Sequence, residues 1–414
     1  MALTATEEAL VRQLINQQAA ILSLAGNEST ITSKLGATKV TLSDLVAAST
    51  LAGADLFLTR QGVTEKSLRA DILADYVKGT LNLSMQGSNI LINGGFAITH
   101  RGETWPAIAH FTVTAARWRF GQSAGSAQFQ LSRIQDAPTP ASQFSLNAEV
   151  TTASPSPASN SEAHIRYAVE GRQAGLQIRD KVVTLSFWVK TNYPGTYSIA
   201  IVKPDSSGAT EETYLASYTV NASGVWEKKS IVIDLSASVN RTWRLDQNYA
   251  IKLRFSYYAG SSFTGNQGWQ SGNLIAVSGS RNLANSVGNY LRIGEVKLES
   301  GNTATPFIQK AITQELIDVQ RYELIVGSSN LDSVGVTGYA GAAGETAYQT
   351  IQYPTTMRAE PIPTLATFQV ANCAQPTFLP GLNSGTLKIT ASGVGRFAAR
   401  SGNSGTPLFL DAEL

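Results

Sequence analysis

The sequence predicts a mainly β protein with an N-terminal helical assembly segment, a central jelly-roll-like β-sandwich and a small C-terminal β domain. Three observations carry this. From about residue 84, short stretches alternate apolar and polar residues, the period of strands with one buried face. These stretches follow one another to residue 307 with no long helical pattern between them, so strands pair directly with strands. Helical spacing gathers instead in the first 80 residues and just past Phe307.

Residues 1–27 read as a helix. Thr6, Glu7, Glu8 and Ala9 open it, and the run ALVRQLINQQAAILSLAG stops at Gly26. Leu3, Leu10, Leu14, Ile21 and Leu24 fall on a short, imperfect heptad if Glu7 and Gln17 fill two seam positions. Two readings stand. One is a single amphipathic helix packed on its own domain. The other is a short parallel coiled coil registering identical chains, with an oligomerisation seam of Leu3, Leu10, Leu14, Gln17, Ile21 and Leu24. On such a seam Gln17 costs stability and helps fix register.

Within a virion-attachment or neck region expected over 28–83, residues 28–78 hold two similar phrases, ESTITSKLGATKVTLSDLVAAS and ADLFLTRQGVTEKSLRADILADYV. Each runs from an extended stretch through a glycine into a Thr/Ser-Leu stretch, with helix starts expected near Thr41, Ser43 and Ser67. Units this small bury little alone and suit a neck or adaptor.

The sandwich is expected over 84–307. Its clearest strands are FQLSRIQ, AHIRYAVEG, VVTLSFWVKT, YSIAIVKP, KKSIVIDLS, YAIKLRFSYYAG and NYLRIGEVKLE. Val183, Leu185, Phe187 and Val189 share one parity, as do Ile251, Leu253 and Phe255. Two stretches read as loose: 136–160, and a long polar insertion over 259–288 that contains Trp269. A linking helix is expected over 308–322, with Ala311, Leu316 and Val319 as its apolar face. A β-rich domain over 323–414 completes the chain, its many Gly and Ser residues marking short strands and tight turns.

Composition excludes several classes. The 32 basic and 30 acidic residues leave a net charge of +2, which makes no electrostatic case for nucleic acid. One Cys and three His exclude a disulfide scaffold and a Cys/His zinc centre. The start lacks the basic, apolar and small-residue sequence of a signal peptide, and no run of 18 apolar residues offers a membrane span.

Four phrases, in order, carry a resemblance. NILINGGFAITHRGETW at 89–105 resembles the opening of a β-sandwich domain common in bacteriophage and prophage tail-fibre proteins. YLRIGEVKLESGNTATPF at 290–307 looks like its last strand and exit. TQELIDVQRYE, followed by YPTTMRAEPIPT at 353–364, is similar to the segment that usually comes next. LAGADLFLTRQGVTEKSLRADIL resembles a repeat found near the attachment end of such fibres. Where those proteins usually carry a Cys before Gln-Arg-Tyr, this chain has Val319, and its one Cys, Cys373, is expected to be a buried structural thiol. The resemblance implies a structural virion protein, a homotrimeric tail fibre. Its N-terminal region would meet other tail or neck proteins, and its β domains would hold host-surface polysaccharide. The alternatives are a head, neck or tail fibre that serves assembly only, and a glycan-cleaving tailspike.

The expected sites are aromatic, because Trp and Tyr rings stack on sugar faces while their polar tips reach hydroxyls. Trp269, Phe263 and Asn266 lie in the long insertion, Tyr257 and Tyr258 end the strand before it, and Trp188 has the opposite parity to Leu185 and Phe187. Trp226 and Trp243 are read as packing. No motif selects a catalytic pair among Glu162, Glu170, Glu211, Glu212, Asp234, Asp246, Glu295 and Glu299, and no enzyme activity is expected. His100, His110 and His164 are not spaced as a metal triad. No cofactor is expected. By analogy with jelly-roll modules, Asn93, Gly94, Gly95 and Glu295 are the residues that would complete a calcium site.

Overall fold

The computed structural model describes residues 56–61, 64–69, 88–106, 110, 112–123, 127–328, 333–402 and 407–414. The heptad residues Leu3, Leu10, Leu14, Gln17, Ile21 and Leu24 lie outside these. The chain divides into two units, 1–88 and 89–414. In the first, β1 (Leu56–Gln61) pairs antiparallel with β2 (Thr64–Arg69). This corrects the helix start expected near Ser67, which sits in a strand opposite Leu58.

The second unit contains two six-stranded sheets. The first is ordered β14 (Gly268–Ser271), β10 (Glu211–Val220), β9 (Gly195–Pro204), β12 (Tyr249–Ala259), β7 (Glu162–Glu170) and β4 (Trp118–Gln122). The second is ordered β11 (Glu227–Asp234), β8 (Val182–Thr191), β16 (Tyr290–Ser300), β6 (Ser145–Thr152), β5 (Gln128–Ile134) and β3 (Thr104–Trp105). Consecutive strands often lie in opposite sheets, as β7 and β8 do, which closes the two layers on one core. Alternate residues meet between the layers. Trp118, Phe120, Tyr167, Phe255 and Tyr257 from the first sheet face Phe129, Leu131, Leu185 and Phe187 from the second.

Three local outcomes differ from expectation. Residues 145–152 lie in a stretch read as loose but form β6, whose Leu146, Ala148 and Val150 supply core contacts. Flanking Ser, Thr and Pro hid that alternation. A short helix, α1 (Gly171–Ile178), follows β7. Its glycines serve close approach, since a Cβ on Gly171 would stand 2.2 Å from the Arg244 carbonyl oxygen. The 259–288 insertion forms β14 at a sheet edge and a parallel pair, β13 (Thr264–Gly265) with β15 (Ala276–Val277). It packs over the outer face of the first sheet, where Ser198 accepts from the Val277 amide at 2.9 Å.

The linking helix α2 spans Ile312–Gln320 and buries Glu315 and Val319, while Ala311 is its exposed N-cap. Beyond it lie three small sheets. They combine β17 (Glu323–Val326), β25 (Leu408–Asp411) and β20 (Ile362–Leu365); β18 (Gly335–Ala340), β24 (Gly395–Ser401) and β21 (Phe368–Ala371); and β19 (Thr346–Gln352), β23 (Ser384–Thr390) and β22 (Thr377–Leu379). Leu387, Phe397, Leu408 and Leu410 are in their shared core. Cys373 is buried there, its thiol against the Ala398 carbonyl.

The sandwich and these sheets meet through buried charge. Arg117, 2% exposed, receives a carboxylate oxygen of Glu413 on its backbone amide at 2.9 Å and pairs its guanidinium with the other oxygen. The guanidinium also donates to the Ala168 carbonyl at 2.7 Å and lies 3.5 Å from the Tyr322 ring centroid. Glu170 takes Arg321 at 2.8 Å and the Tyr322 hydroxyl at 2.7 Å. Glu323, wholly buried, faces His100 at 3.1 Å and Arg101 at 3.2 Å.

Removing one partner of a buried pair strands the other charge. Glu413→Gln is therefore expected to lower unfolding free energy by roughly 3–5 kcal/mol, measured by urea titration of the full chain. An unchanged midpoint would show that the pair does not hold the junction.

Acid should act in a defined window. Burial raises the Glu162 carboxyl, but His164 at 2.6 Å outweighs it and leaves the group below its ordinary 4.5. Glu211 is lowered too, with Lys252 outweighing burial, and Glu227 is held at about 2 by Lys229 and two backbone amides against a burial effect. Each folded pKa lies below the unfolded one. Their contribution is present above pH 4.5 and is lost as pH falls towards 2. Glu315, raised by burial, opposes this. Melting temperature is expected to fall across that window, and a flat profile would contradict the assignment.

Candidate functional site

The outer face of the second sheet carries an aromatic and charged strip. In β8, Val183, Leu185, Phe187 and Val189 point to the core, so Trp188 and Lys190 point out. Lys190 stands opposite Arg292 on β16, and Arg292 opposite Asn147 on β6. Glu227 pairs with Val189, which brings the preceding Trp226 level with Lys190. Trp188, Trp226 and Tyr290 are all half-buried.

Asp136 organises the strip from the loop above it. Its carboxylate accepts from Lys190 Nζ at 3.0 Å, Trp226 Nε1 at 3.2 Å and Arg292 Nη1 at 2.5 Å. Burial raises this carboxyl, but those three hydrogen bonds outweigh it and hold the group below its ordinary value. Arg292 also donates to Asn147 Oδ1 at 3.1 Å and lies 4.5 Å from the Tyr290 ring centroid. Gly294, opposite Trp188, leaves room for the loop, since a Cβ there would meet Pro138 at 2.9 Å and Trp226 at 3.6 Å. The result is a row of indole and phenol surfaces flanked by fixed donors and acceptors. Such a row can stack on a flat, partly apolar ligand and hydrogen-bond its rim.

The residues named from sequence do not come together. Trp188 is in the strip. Trp269 is half-buried in β14 of the other sheet, paired with Tyr214 at a ring distance of 5.5 Å, and its Nε1 donates to the Asp234 carbonyl at 3.0 Å. It thus ties the edge strand of the first sheet to the edge strand of the second. Phe263 is half-buried in a short turn whose carbonyl accepts from Ile275 at 2.8 Å, and Asn266 is exposed beside Gln270. Tyr257 and Tyr258 are each 1% exposed, which corrects the expectation that they border a patch. A bulge between Ser256 and Tyr258 breaks the alternation, so both successive rings turn inward onto Phe129, at 5.4 and 6.3 Å. Trp226, read as packing, proves to be part of the strip. Its parity with Lys190 depends on strand pairing, which one strand's sequence does not contain. Trp243 is core, with Nε1 on Asp180 at 2.9 Å.

The carboxylates are engaged in structure. Glu212 accepts from the Val239 amide at 3.0 Å, and Glu299 accepts from the Thr305 amide and hydroxyl at 2.8 and 2.6 Å. Asp234 and Asp246 accept from amides two residues on. The residues considered for calcium do not fit such a site. Asn93 Oδ1 accepts from the Ile98 amide, the Gly94 carbonyl accepts from Val296, and Glu295 turns to Thr139 and Ser142. Among the described residues, no three His, Cys, Asp or Glu side chains gather as a metal set, and no helix is long and apolar enough to cross a membrane.

No protein-family model matches the chain, and no curated protein does. Among solved structures, the chain is similar to the enzymatically active domain of tailspike protein 4 of bacteriophage CBA120, at 12% identity and TM-score 0.30. That likeness covers 47% of this chain and 21% of the tailspike domain, so this chain spans about a fifth of it. A family 11 carbohydrate-binding module of a Clostridium thermocellum cellulase is similar at 13% identity and TM-score 0.28, covering 50% of this chain and 98% of the module. A putative sugar-binding protein of Bacteroides thetaiotaomicron is similar at 10% identity and TM-score 0.30, covering 52% and 100%. The sandwich assignment rests on the chain's own sheet order.

Proposed function

We propose that this chain is a structural protein of a phage virion, a trimeric tail fibre whose sandwich holds a host-surface polysaccharide without cleaving it. The single observation that carries the binding reading is the strip of Trp188, Trp226 and Tyr290, three half-buried rings on an outward sheet face beside Lys190, Arg292 and Asp136. Rings buried for stability alone belong between the sheets, as Trp118 does. The virion reading draws on the four ordered sequence phrases, and the trimer reading on the heptad of residues 3–24. Three shallow sites on one particle would bind far more tightly than one.

A second reading, assembly only, draws on the C-terminal sheets, where Tyr339, Ile362 and Val394 are 76%, 72% and 69% exposed. Exposed apolar side chains of this size suit contact with another virion protein.

Binding of host-surface polysaccharide to the intact chain is expected, with its chain length unchanged on incubation. Trp188→Ala and Trp226→Ala should each weaken binding roughly 5- to 100-fold by removing one stacking surface, with melting temperature nearly preserved. Binding that survives both substitutions, or no binding at all, would overturn the adhesion reading in favour of assembly. Shortening of the polysaccharide would overturn binding without cleavage.

A further inference from the structure

The charges around the aromatic strip are not shared out evenly. Lys228 on β11 stands directly opposite Trp188 on β8, so the two side chains are neighbours on the outer face of the second sheet. Lys228 is exposed, and among the described residues no carboxylate pairs with it.

The acids of this face are engaged elsewhere or distant. Glu227, the residue before Lys228, accepts from Lys229 at 2.7 Å and from the Asn221 and Ala222 amides at 2.7 and 2.8 Å. Asp136 is shared by Lys190 at 3.0 Å, Trp226 at 3.2 Å and Arg292 at 2.5 Å, so two cations there meet one carboxylate. Glu295 is buried and takes the Thr139 and Ser142 hydroxyls at 2.5 and 3.1 Å. Glu299 is buried with Lys297 at 3.3 Å and the Thr305 hydroxyl at 2.6 Å. Asp234 ends β11 and is held on Ser236, and Glu103 pairs with Arg133 towards the opposite edge of the sheet. Glu149 is exposed beside Tyr290, but it lies on β6, three strand spacings from β11. That separation is about 14 Å, beyond the Debye length of about 8 Å at physiological salt. The Trp188 end of the strip is therefore cationic, and the exposed acid stands at the Tyr290 end.

We propose that the strip takes an acidic saccharide, and that Lys228 selects it by receiving the carboxylate of a sugar stacked on Trp188. Side chains directly opposite on paired strands have Cβ atoms about 5 Å apart, so a ring lying on the indole brings its substituents to the ammonium. A lysine is a point charge on a flexible stem, suited to a carboxylate whose position varies along a polymer. The two cations that share Asp136 add a field of the same sign. The proposal rests on the glycan reading of the strip and names the class of sugar.

Calorimetric titration of the full chain with hexagalacturonate and with its fully methyl-esterified form tests it, because esterification keeps the sugar rings and removes the charge. The acid is expected to bind roughly 3- to 10-fold more tightly than the ester at low salt, with the difference shrinking as salt rises. Lys228→Gln should lower the affinity for the acid to that for the ester and leave the ester unchanged, whereas Lys228→Arg should keep the preference. Trp188→Ala should weaken both ligands. Lys228 is exposed, so neither substitution there should move the melting temperature. Equal affinity for acid and ester in the native chain would overturn the proposal. So would a preference that survives Lys228→Gln, which would leave Lys228 as an edge-strand charge that blocks pairing. No binding of either ligand would overturn it as well. In each of these cases, retained adhesion to host-surface polysaccharide that is lost in Trp188→Ala would keep the strip reading, so the two failures are distinguishable.

Discussion

One buried guanidinium sets the arrangement of the whole second unit. Arg117 leaves the sandwich with a positive φ of 74°, a conformation that side chains avoid unless the surroundings hold it. Glu413, Ala168 and the Tyr322 ring hold it. A charge in that setting tolerates no loosening, because separating the partners leaves two unsolvated ions. The C-terminal sheets are therefore locked to the sandwich by position and not only by apolar contact. The nearby pairs of Glu170 with Arg321, and of Glu323 with His100 and Arg101, bring residues far apart in sequence onto the same seam.

That seam gathers residues from phrases far apart in the sequence. The opening phrase contributes His100 and Arg101; the Gln-Arg-Tyr-Glu run contributes Arg321, Tyr322 and Glu323; the later phrase contributes Arg358, which donates to the Ala412 carbonyl at 2.6 Å. The strands were legible for a different reason. Val183 to Val189 and Ile251 to Phe255 alternate because one face is core, and a single strand records that in itself. What the sequence could not carry is pairing. Trp226 beside Lys190, and Arg166 between Arg119 and Arg254, exist only once register is set. A bulge likewise reversed Tyr258, and no residue type announced it.

The two outer faces show two ways of treating a sheet surface. On the second sheet, the 136–142 loop descends on Gly294 and supplies Asp136, which neutralises and orders Lys190 and Arg292. On the first sheet, the 260–281 insertion covers Ser198 and reaches Arg254 with an amide in place of an acid.

This contrast bears on how such a protein can hold a ligand at all. A strip whose donors and acceptors already satisfy one another would offer a ligand ring contact and the displacement of water more than new hydrogen bonds. The outer face of the second sheet presents indole and phenol rings, and that of the first sheet presents guanidinium groups. The two faces lie on opposite sides of one sandwich. Their rigidity would come from the same core, in which Trp118 and Phe255 lie beneath the arginines and Phe187 beneath Trp188.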